Sequence, residues 1–86
     1  MMTAREFLNR IRWHPDEYPS DYIIHYYDRP EKRLRAVPYK EIMEIDRGFL
    51  TLIIGGRETN VPLHRIRKIE RRGKIVWERT LNSTTR

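Results

Sequence analysis

The first amphipathic segment of the chain has the spacing of a helix. Thr3 and Glu6 stand three positions apart, the spacing of a capping box, in which each side chain bonds to the backbone N–H of the other residue. The pattern predicts a helix over residues 4–12. Pro15 follows it, and the residue before a proline avoids the α region. Four apolar residues recur three or four positions apart and would share one helical face: Ala4, Phe7, Leu8 and Ile11.

The rest of the chain is typical of short β-strands separated by tight turns. Gly55-Gly56 and Arg72-Gly73 suit two-residue hairpin turns, because glycine tolerates positive φ. Residues 49–54 form the most apolar segment, which predicts a buried central strand. Strand-forming residues are concentrated in six segments: 22–28, 33–37, 49–54, 57–61, 68–71 and 74–79.

The chain also contains an internal repeat. Residues 37–48 and 61–73 share the pattern V-P-x-x-x-I-x-x-I, followed by an acidic residue, arginine and glycine. In each copy the proline suits the start of a single helical turn, where its missing N–H costs nothing. The two isoleucines would then face the core. We therefore expect two similar β-units packed as one curled sheet.

These elements predict an α+β fold. We expect an N-terminal helix packed on a strongly curled, mostly antiparallel sheet of five or six strands, or a small partly open barrel. Because 86 residues allow one domain with a small core, residues 1–79 are predicted to form a single domain. Residues 80–86 are predicted to be a flexible tail.

Basic charge is concentrated in one folded segment. Residues 61–79 contain seven basic and two acidic side chains, so this segment carries +5 of the formal net charge of +6. A one-sided basic surface favours a partner that carries phosphate. The two repeat copies differ in charge, because the first has Lys40, Glu41, Met43 and Glu44 where the second has His64, Arg65, Arg67 and Lys68.

Several other classes of function have little support in the composition. The chain has no cysteine, and the spacing of His14, His25 and His64 matches no metal motif, so we expect no metal and no cofactor. The longest apolar stretch, residues 49–54, is far shorter than the ~20 residues that a membrane span needs. The N-terminus lacks an apolar signal region. We therefore expect a cytoplasmic protein that does not associate with membranes.

Four blocks of the sequence, in the same order, resemble a known family. Residues 61–69 and then 71–77 are similar to the "hydrophobic-Pro-x-His-Arg-Ile…Gly…Trp" ending of a small archaeal family of unknown function. Residues 8–13, 26–29 and 37–45 are similar to its other blocks. The family is called the RNA cyclic-group-end recognition domain. The resemblance implies that the chain binds RNA ends that carry a 2′,3′-cyclic phosphate.

The same resemblance implies which residues bind phosphate. His64 and Arg65 are the first candidates, and Asp28 and Arg29 are secondary candidates. The residue types of His64 and Arg65 indicate the same role without the resemblance. An imidazole N–H and a neighbouring guanidinium group can both donate hydrogen bonds to phosphate. Arg67 and Lys68 add positive charge, and Trp13 or a tyrosine could stack on a base.

The leading hypothesis is therefore a non-catalytic RNA-binding module that recognises a phosphate-bearing terminus. Two alternatives stay open. One is a small RNase or cyclic phosphodiesterase that uses His25 and His64, because acid–base cleavage needs two titrating groups around one phosphate. The other is a protein-interaction adaptor whose basic face meets an acidic partner. The sequence leaves the oligomeric state open.

Overall fold

The computed structural model describes residues 2–79, so the predicted tail over residues 80–86 lies outside the described part of the chain. The predicted α+β fold is confirmed: one helix, α1, precedes seven strands. In residues 2–79 no helix has the length and apolar character to cross a membrane. The elements are α1 Ala4–Trp13, β1 Tyr22–Asp28, β2 Arg33–Pro38, β3 Ile42–Ile45, β4 Phe49–Ile54, β5 Arg57–Pro62, β6 Ile66–Arg71 and β7 Lys74–Glu78.

Helix α1 begins at the predicted capping box. The Glu6 backbone N–H donates to Oγ1 of Thr3 at 3.1 Å, and the Thr3 backbone N–H donates to Oε1 of Glu6 at 2.9 Å. The helix extends one residue beyond the prediction, to Trp13. Its buried face consists of Ala4, Leu8 and Ile11. Local sequence therefore fixes both the start of α1 and the face that it turns to the core.

The strands form two antiparallel sheets instead of the one predicted. One sheet has the order β2-β1-β6-β7 and the other has the order β3-β4-β5. The expectation of a single, strongly curled sheet of five or six strands, or a small barrel, is not supported, because seven strands lie in two separate open sheets. Strand β3, in the first repeat copy, was not predicted as a strand.

The repeat explains how the chain passes between the two sheets. Each copy contains a single 3-10 turn directly after its proline, as predicted: Tyr39–Glu41 after Pro38, which we call the first 3-10 turn, and Leu63–Arg65 after Pro62, which we call the second 3-10 turn. A further 3-10 turn, Pro19–Asp21, lies before β1 and outside the repeat. The first turn leads from β2 to β3, and the second leads from β5 to β6. Each turn therefore carries the chain from one sheet to the other, which is why the two β-units do not continue as one sheet.

The core lies between the helix and both sheets. Leu50 and Leu52 of β4 are fully buried, and β4 lies between β3 and β5, so the predicted buried central strand is confirmed. The Tyr39 hydroxyl donates to the carbonyl oxygen of Leu8 at 2.7 Å and so joins the first 3-10 turn to α1. The fully buried side chains come from every layer: Leu8, Ile11, Ile24, Leu50, Leu52, Ile66 and Ile69.

Candidate nucleic-acid interface

The second 3-10 turn, Leu63–Arg65, lies between two cavities. Leu63 is buried and anchors the turn, whereas His64 is exposed and Arg65 is half-buried. His64 lines a cavity of about 550 Å³, which we call the His64 cavity. Arg65 lines a separate cavity of about 220 Å³, which we call the Arg65 cavity. The two candidate phosphate ligands are thus neighbours in sequence but belong to different cavities.

The His64 cavity has an apolar floor, because Ala4 and Leu63 are buried, and a basic rim, because Arg5, Arg47 and His64 are exposed. Ala4, Leu63 and Trp77 supply apolar surface from α1, the turn and β7. Three guanidinium groups and one carboxylate also line it, so its net charge is positive. The cavity lies at the N-terminal end of α1, because Thr3 and Ala4 belong to its wall. The charged and polar lining residues are Thr3, Arg5, Arg47, His64, Glu78 and Arg79.

Two hydrogen bonds fix the wall of the His64 cavity at its β7 side. Trp77 Nε1 donates to the carbonyl oxygen of Met2 at 2.8 Å, which joins the end of β7 to the residues before α1. Arg79 Nη2 donates to the carbonyl oxygen of Leu63 at 3.0 Å. The Arg79 guanidinium also lies 5.3 Å from the centre of the Trp77 ring. Arg79 therefore holds the turn, while His64 itself extends from that turn.

The Arg65 cavity brings together three of the residues proposed from the sequence. Asp28 and Arg29 follow each other at the end of β1, and both line this cavity with Arg65. Arg35 Nη1 donates to Oδ2 of Asp28 at 3.1 Å, and this hydrogen bond raises the pKa of Arg35. The carboxylate of Asp28 thus has a cationic partner on the neighbouring strand. Asn60 of β5 also lines the cavity.

Arg67 and Lys68 lie on β6 and line neither of these two cavities. They line a third cavity, of about 200 Å³, with Tyr27 and Leu34. The Arg67 guanidinium lies 5.1 Å from the centre of the Tyr27 ring, a cation–π contact. These two basic side chains therefore flank the turn without meeting His64.

Trp13 lies far from the turn. It is 74% exposed at the C-terminal end of α1, and the Arg12 guanidinium is 5.8 Å from the centre of its ring. The helix rises about 1.5 Å per residue, so Trp13 is about 14 Å along the axis from Ala4, which lines the His64 cavity. The structure therefore does not bring Trp13 next to His64.

Sequence reasoning missed most of the basic rim. Arg5 comes from α1 and carried no signal beyond its charge, and Arg47, from the loop between β3 and β4, stood out only as the arginine of the repeat pattern. Arg79 counted only as part of the basic segment, and Trp77 only as the tryptophan of the ending that resembles the family. The residues that line the His64 cavity come close together because α1 contacts both β3 and the turn Leu63–Arg65.

The comparison with protein families matches residues 1–79 to the MJ1316 RNA cyclic group end recognition domain. The chain belongs to this family. It is 38% identical to a UPF0248 protein of Methanococcus maripaludis, over 87% of this chain and 96% of that protein. It is 33% identical to a UPF0248 protein of Saccharolobus solfataricus, over 91% of this chain and 98% of that protein. No solved structure matches the chain.

Within this family domain, His25 and His64 have different surroundings. His25 lies on β1, and its Nε2 is 2.8 Å from Oε1 of Glu70 on β6. Its side chain is only 18% exposed. His64 lines the cavity at the start of α1 instead. An acid–base pair around one phosphate needs both rings at the same site, so the RNase or phosphodiesterase alternative is not favoured.

Metal chemistry has no support in the part of the chain that the structure describes. Residues 2–79 contain no group of three or more His, Cys, Asp or Glu side chains placed to hold a metal ion. The three histidines belong to different elements: His14 follows α1, His25 is on β1 and His64 is in the second 3-10 turn.

Proposed function

We propose that the chain is a non-catalytic module that binds RNA and recognises a phosphate-bearing terminus, with the terminal nucleotide in the His64 cavity. The observation that carries the proposal is the composition of that cavity. Arg5, Arg47 and His64 are on its rim, and its floor is apolar. The name of the family, which refers to recognition of a cyclic group at an RNA end, supports the same assignment.

The rim residues would act as the phosphate ligands. A guanidinium group donates two parallel hydrogen bonds to phosphate oxygens, and an imidazole N–H adds a third donor. Within residues 2–79, no carboxylate forms an ion pair with Arg5, Arg47 or His64. Arg5 has one weak protein contact, from Nε to the carbonyl oxygen of Asp46 at 3.3 Å. These side chains are therefore available for an anion.

The size and floor of the cavity suit a nucleotide better than an inorganic anion. Its volume of about 550 Å³ falls within the range of roughly 300–1,000 Å³ that is usual for small-molecule sites. Ala4, Leu63 and Trp77 would cover the base or the ribose. A 2′,3′-cyclic phosphate carries one negative charge and two non-bridging oxygens. One imidazole and one guanidinium can bind both of those oxygens, and we propose this end as the preferred ligand.

The remaining candidates would contact other parts of the strand. Trp13, with its exposed ring, would stack on a base further along a longer RNA, a contact worth about 1–3 kcal/mol. Arg67 and Lys68 would neutralise backbone phosphates. Each phosphate that the protein neutralises should add about −0.7 to the log–log slope of affinity against salt for a single strand.

The experiment that tests this proposal is a binding comparison of one short RNA with three ends. The RNA carries a 3′-hydroxyl, a 3′-phosphate or a 2′,3′-cyclic phosphate, and the products are examined in the same samples. We expect tighter binding of the two phosphorylated ends and no turnover. His64→Ala and Arg47→Ala should each remove most of that preference.

The matched control is Arg57→Ala, which removes one exposed arginine beside the Gly55-Gly56 turn, at the end of β5 away from Pro62. It should retain the preference for phosphorylated ends. Equal affinity for all three ends would overturn the proposal, as would a preference that survives both rim substitutions. Cleavage or opening of the cyclic phosphate would establish the enzymatic alternative instead.

A further inference from the structure

We propose that the Arg65 cavity binds the phosphodiester group of the nucleotide that precedes the terminal one. This proposal rests on the proposed function, because the terminal nucleotide would occupy the His64 cavity. The turn Leu63–Arg65 would then lie between two successive phosphates of one strand. The module would recognise a dinucleotide end and not a lone phosphate.

The geometry of the turn points the side chains of His64 and Arg65 in different directions. A 3-10 turn has three residues per turn, so consecutive side chains point about 120° apart. His64 and Arg65 accordingly line different cavities, although their Cα atoms are only about 3.8 Å apart. Leu63, the first residue of the turn, is buried and anchors the turn in the core. Two adjacent residues therefore present donors to two neighbouring groups and not to one phosphate.

The charge of the Arg65 cavity favours an anion. Arg29 and Arg65 both line it, and in the part of the chain that the structure describes neither has a carboxylate within ion-pair distance. Among residues 2–79, Asp28 is the only acidic residue on its lining. The Arg35 guanidinium, 3.1 Å from Oδ2 of Asp28, compensates that charge. The two remaining guanidinium groups leave the cavity positive.

One neutral donor adds to the cavity. Thr51 Oγ1 donates to Oδ1 of Asn60 at 3.1 Å. Because this bond uses the amide oxygen, the NH₂ group of Asn60, which lines the cavity, remains to donate to a ligand. Guanidinium and amide donors together match the oxygens of a phosphodiester.

The volume decides which part of a nucleotide fits. The Arg65 cavity measures about 220 Å³, below the roughly 300 Å³ at which small-molecule sites usually begin. The His64 cavity is more than twice as large. The smaller cavity therefore suits a phosphate group and part of a ribose, whereas the larger one takes a complete terminal nucleotide.

The test compares three ligands that share one 2′,3′-cyclic phosphate end. They are a mononucleotide, a dinucleotide, and the same dinucleotide with an uncharged methylphosphonate linkage. The wild-type protein should bind the normal dinucleotide about tenfold more tightly than the mononucleotide, which is the size expected for one charge-assisted contact. The methylphosphonate dinucleotide should bind like the mononucleotide.

Substitutions then assign this gain to the Arg65 cavity. The dinucleotide gain is the ratio of dinucleotide affinity to mononucleotide affinity. Arg65→Ala and Arg29→Ala should each reduce this gain and leave the mononucleotide affinity unchanged. Arg57→Ala should change neither quantity. The salt dependence of dinucleotide binding should become weaker in Arg65→Ala, because one screened charge–charge contact is lost. A dinucleotide gain that persists in Arg65→Ala would overturn the inference, as would an equal loss for both ligands.

His64→Ala keeps this inference separate from the proposed function. The variant should bind all three ligands weakly. If instead it retains full affinity for the mononucleotide, the proposed function fails. The inference about the Arg65 cavity is decided independently, by the comparison of charged and uncharged linkages in the Arg65→Ala protein.

Discussion

The guanidinium of Arg79 donates from Nη2 to the carbonyl oxygen of Leu63 at 3.0 Å, and so ties the end of β7 to the second 3-10 turn. Its Nε donates to the carbonyl oxygen of Ile66 at 2.9 Å, just after the same turn. One side chain thus bonds to the first residue of the turn and to the residue that follows it. Arg79 is a positioning residue for His64 and Arg65, which lie between those two carbonyl groups.

Arg79→Ala should therefore affect both stability and binding. The loss of two hydrogen bonds from a charged donor should lower the free energy of unfolding by about 2 kcal/mol, measured by urea denaturation. Binding of the cyclic-phosphate end should also weaken. Arg79→Lys keeps the charge but replaces a planar group, in which two separate nitrogens donate, by a single ammonium nitrogen, so it should restore little of either. Full recovery in Arg79→Lys would mean that charge alone matters at this position.

The two tryptophans provide a direct readout of where the terminal nucleotide binds. Trp77 lines the His64 cavity, whereas Trp13 is 74% exposed at the far end of α1. In the Trp13→Phe protein, Trp77 is the only tryptophan, and a mononucleotide with a cyclic phosphate should change its fluorescence. In the Trp77→Phe protein the same ligand should leave the Trp13 emission unchanged. A response from Trp13 alone would place the nucleotide elsewhere.

Stability should fall in alkaline solution because of Tyr39. Burial raises the pKa of Tyr39 to about 12, compared with about 10 in an unfolded chain. Between pH 10 and 12 the unfolded chain loses this proton while the folded chain keeps it. The folded state therefore binds more protons, and its stability decreases as the pH rises through this window. Below pH 10 this group contributes no pH dependence.

Tyr39→Phe isolates that contribution. The variant should have a shallower loss of stability between pH 10 and 12, measured as the free energy of unfolding at a series of pH values. Part of the loss should remain, because burial also raises the pKa of Tyr22 to about 12. At neutral pH the variant should be less stable by about 1 kcal/mol, since the Leu8 carbonyl loses a donor. Identical slopes in both proteins would contradict the assignment.

The last hairpin depends on a left-handed backbone at Gly73. Its φ is +85°, which a side chain would strain, although no other atom lies within 4 Å of the position of an added Cβ. Gly73→Ala should therefore destabilise the protein by about 1–2 kcal/mol, measured by thermal or urea unfolding. Gly48→Ala is the matched control, because its surroundings are equally open and its φ is not positive. Equal effects of both substitutions would show that strain is not the cause.

Local patterns in the sequence predicted most of the elements. The capping box at Thr3 and Glu6, the strand Tyr22–Asp28 and the prolines before both 3-10 turns all appear in the structure as expected. These features depend on neighbouring residues, through backbone preference and short-range hydrogen bonds. The strand Ile42–Ile45 was missed, because its four residues are too few for a clear alternation.

The division into two sheets could not be predicted from the same patterns. A proline followed by one helical turn fits a chain that continues in the same sheet as well as one that crosses to another. The pairing of strands distant in sequence, such as β1 with β6, distinguishes the two arrangements. The expectation of one curled sheet failed for this reason.

The sequence by itself determined that this is a small α+β domain, that its positive charge is concentrated in residues 61–79, and that it resembles the family to which it belongs. The tertiary structure alone decided that His64 and Arg65 line different cavities. It also decided that Arg5 and Arg47, more than forty positions apart in the chain, share the rim of one of them. The physical reason is that cavities form between elements distant in sequence, and side-chain packing, which no local pattern encodes, decides which residues meet there.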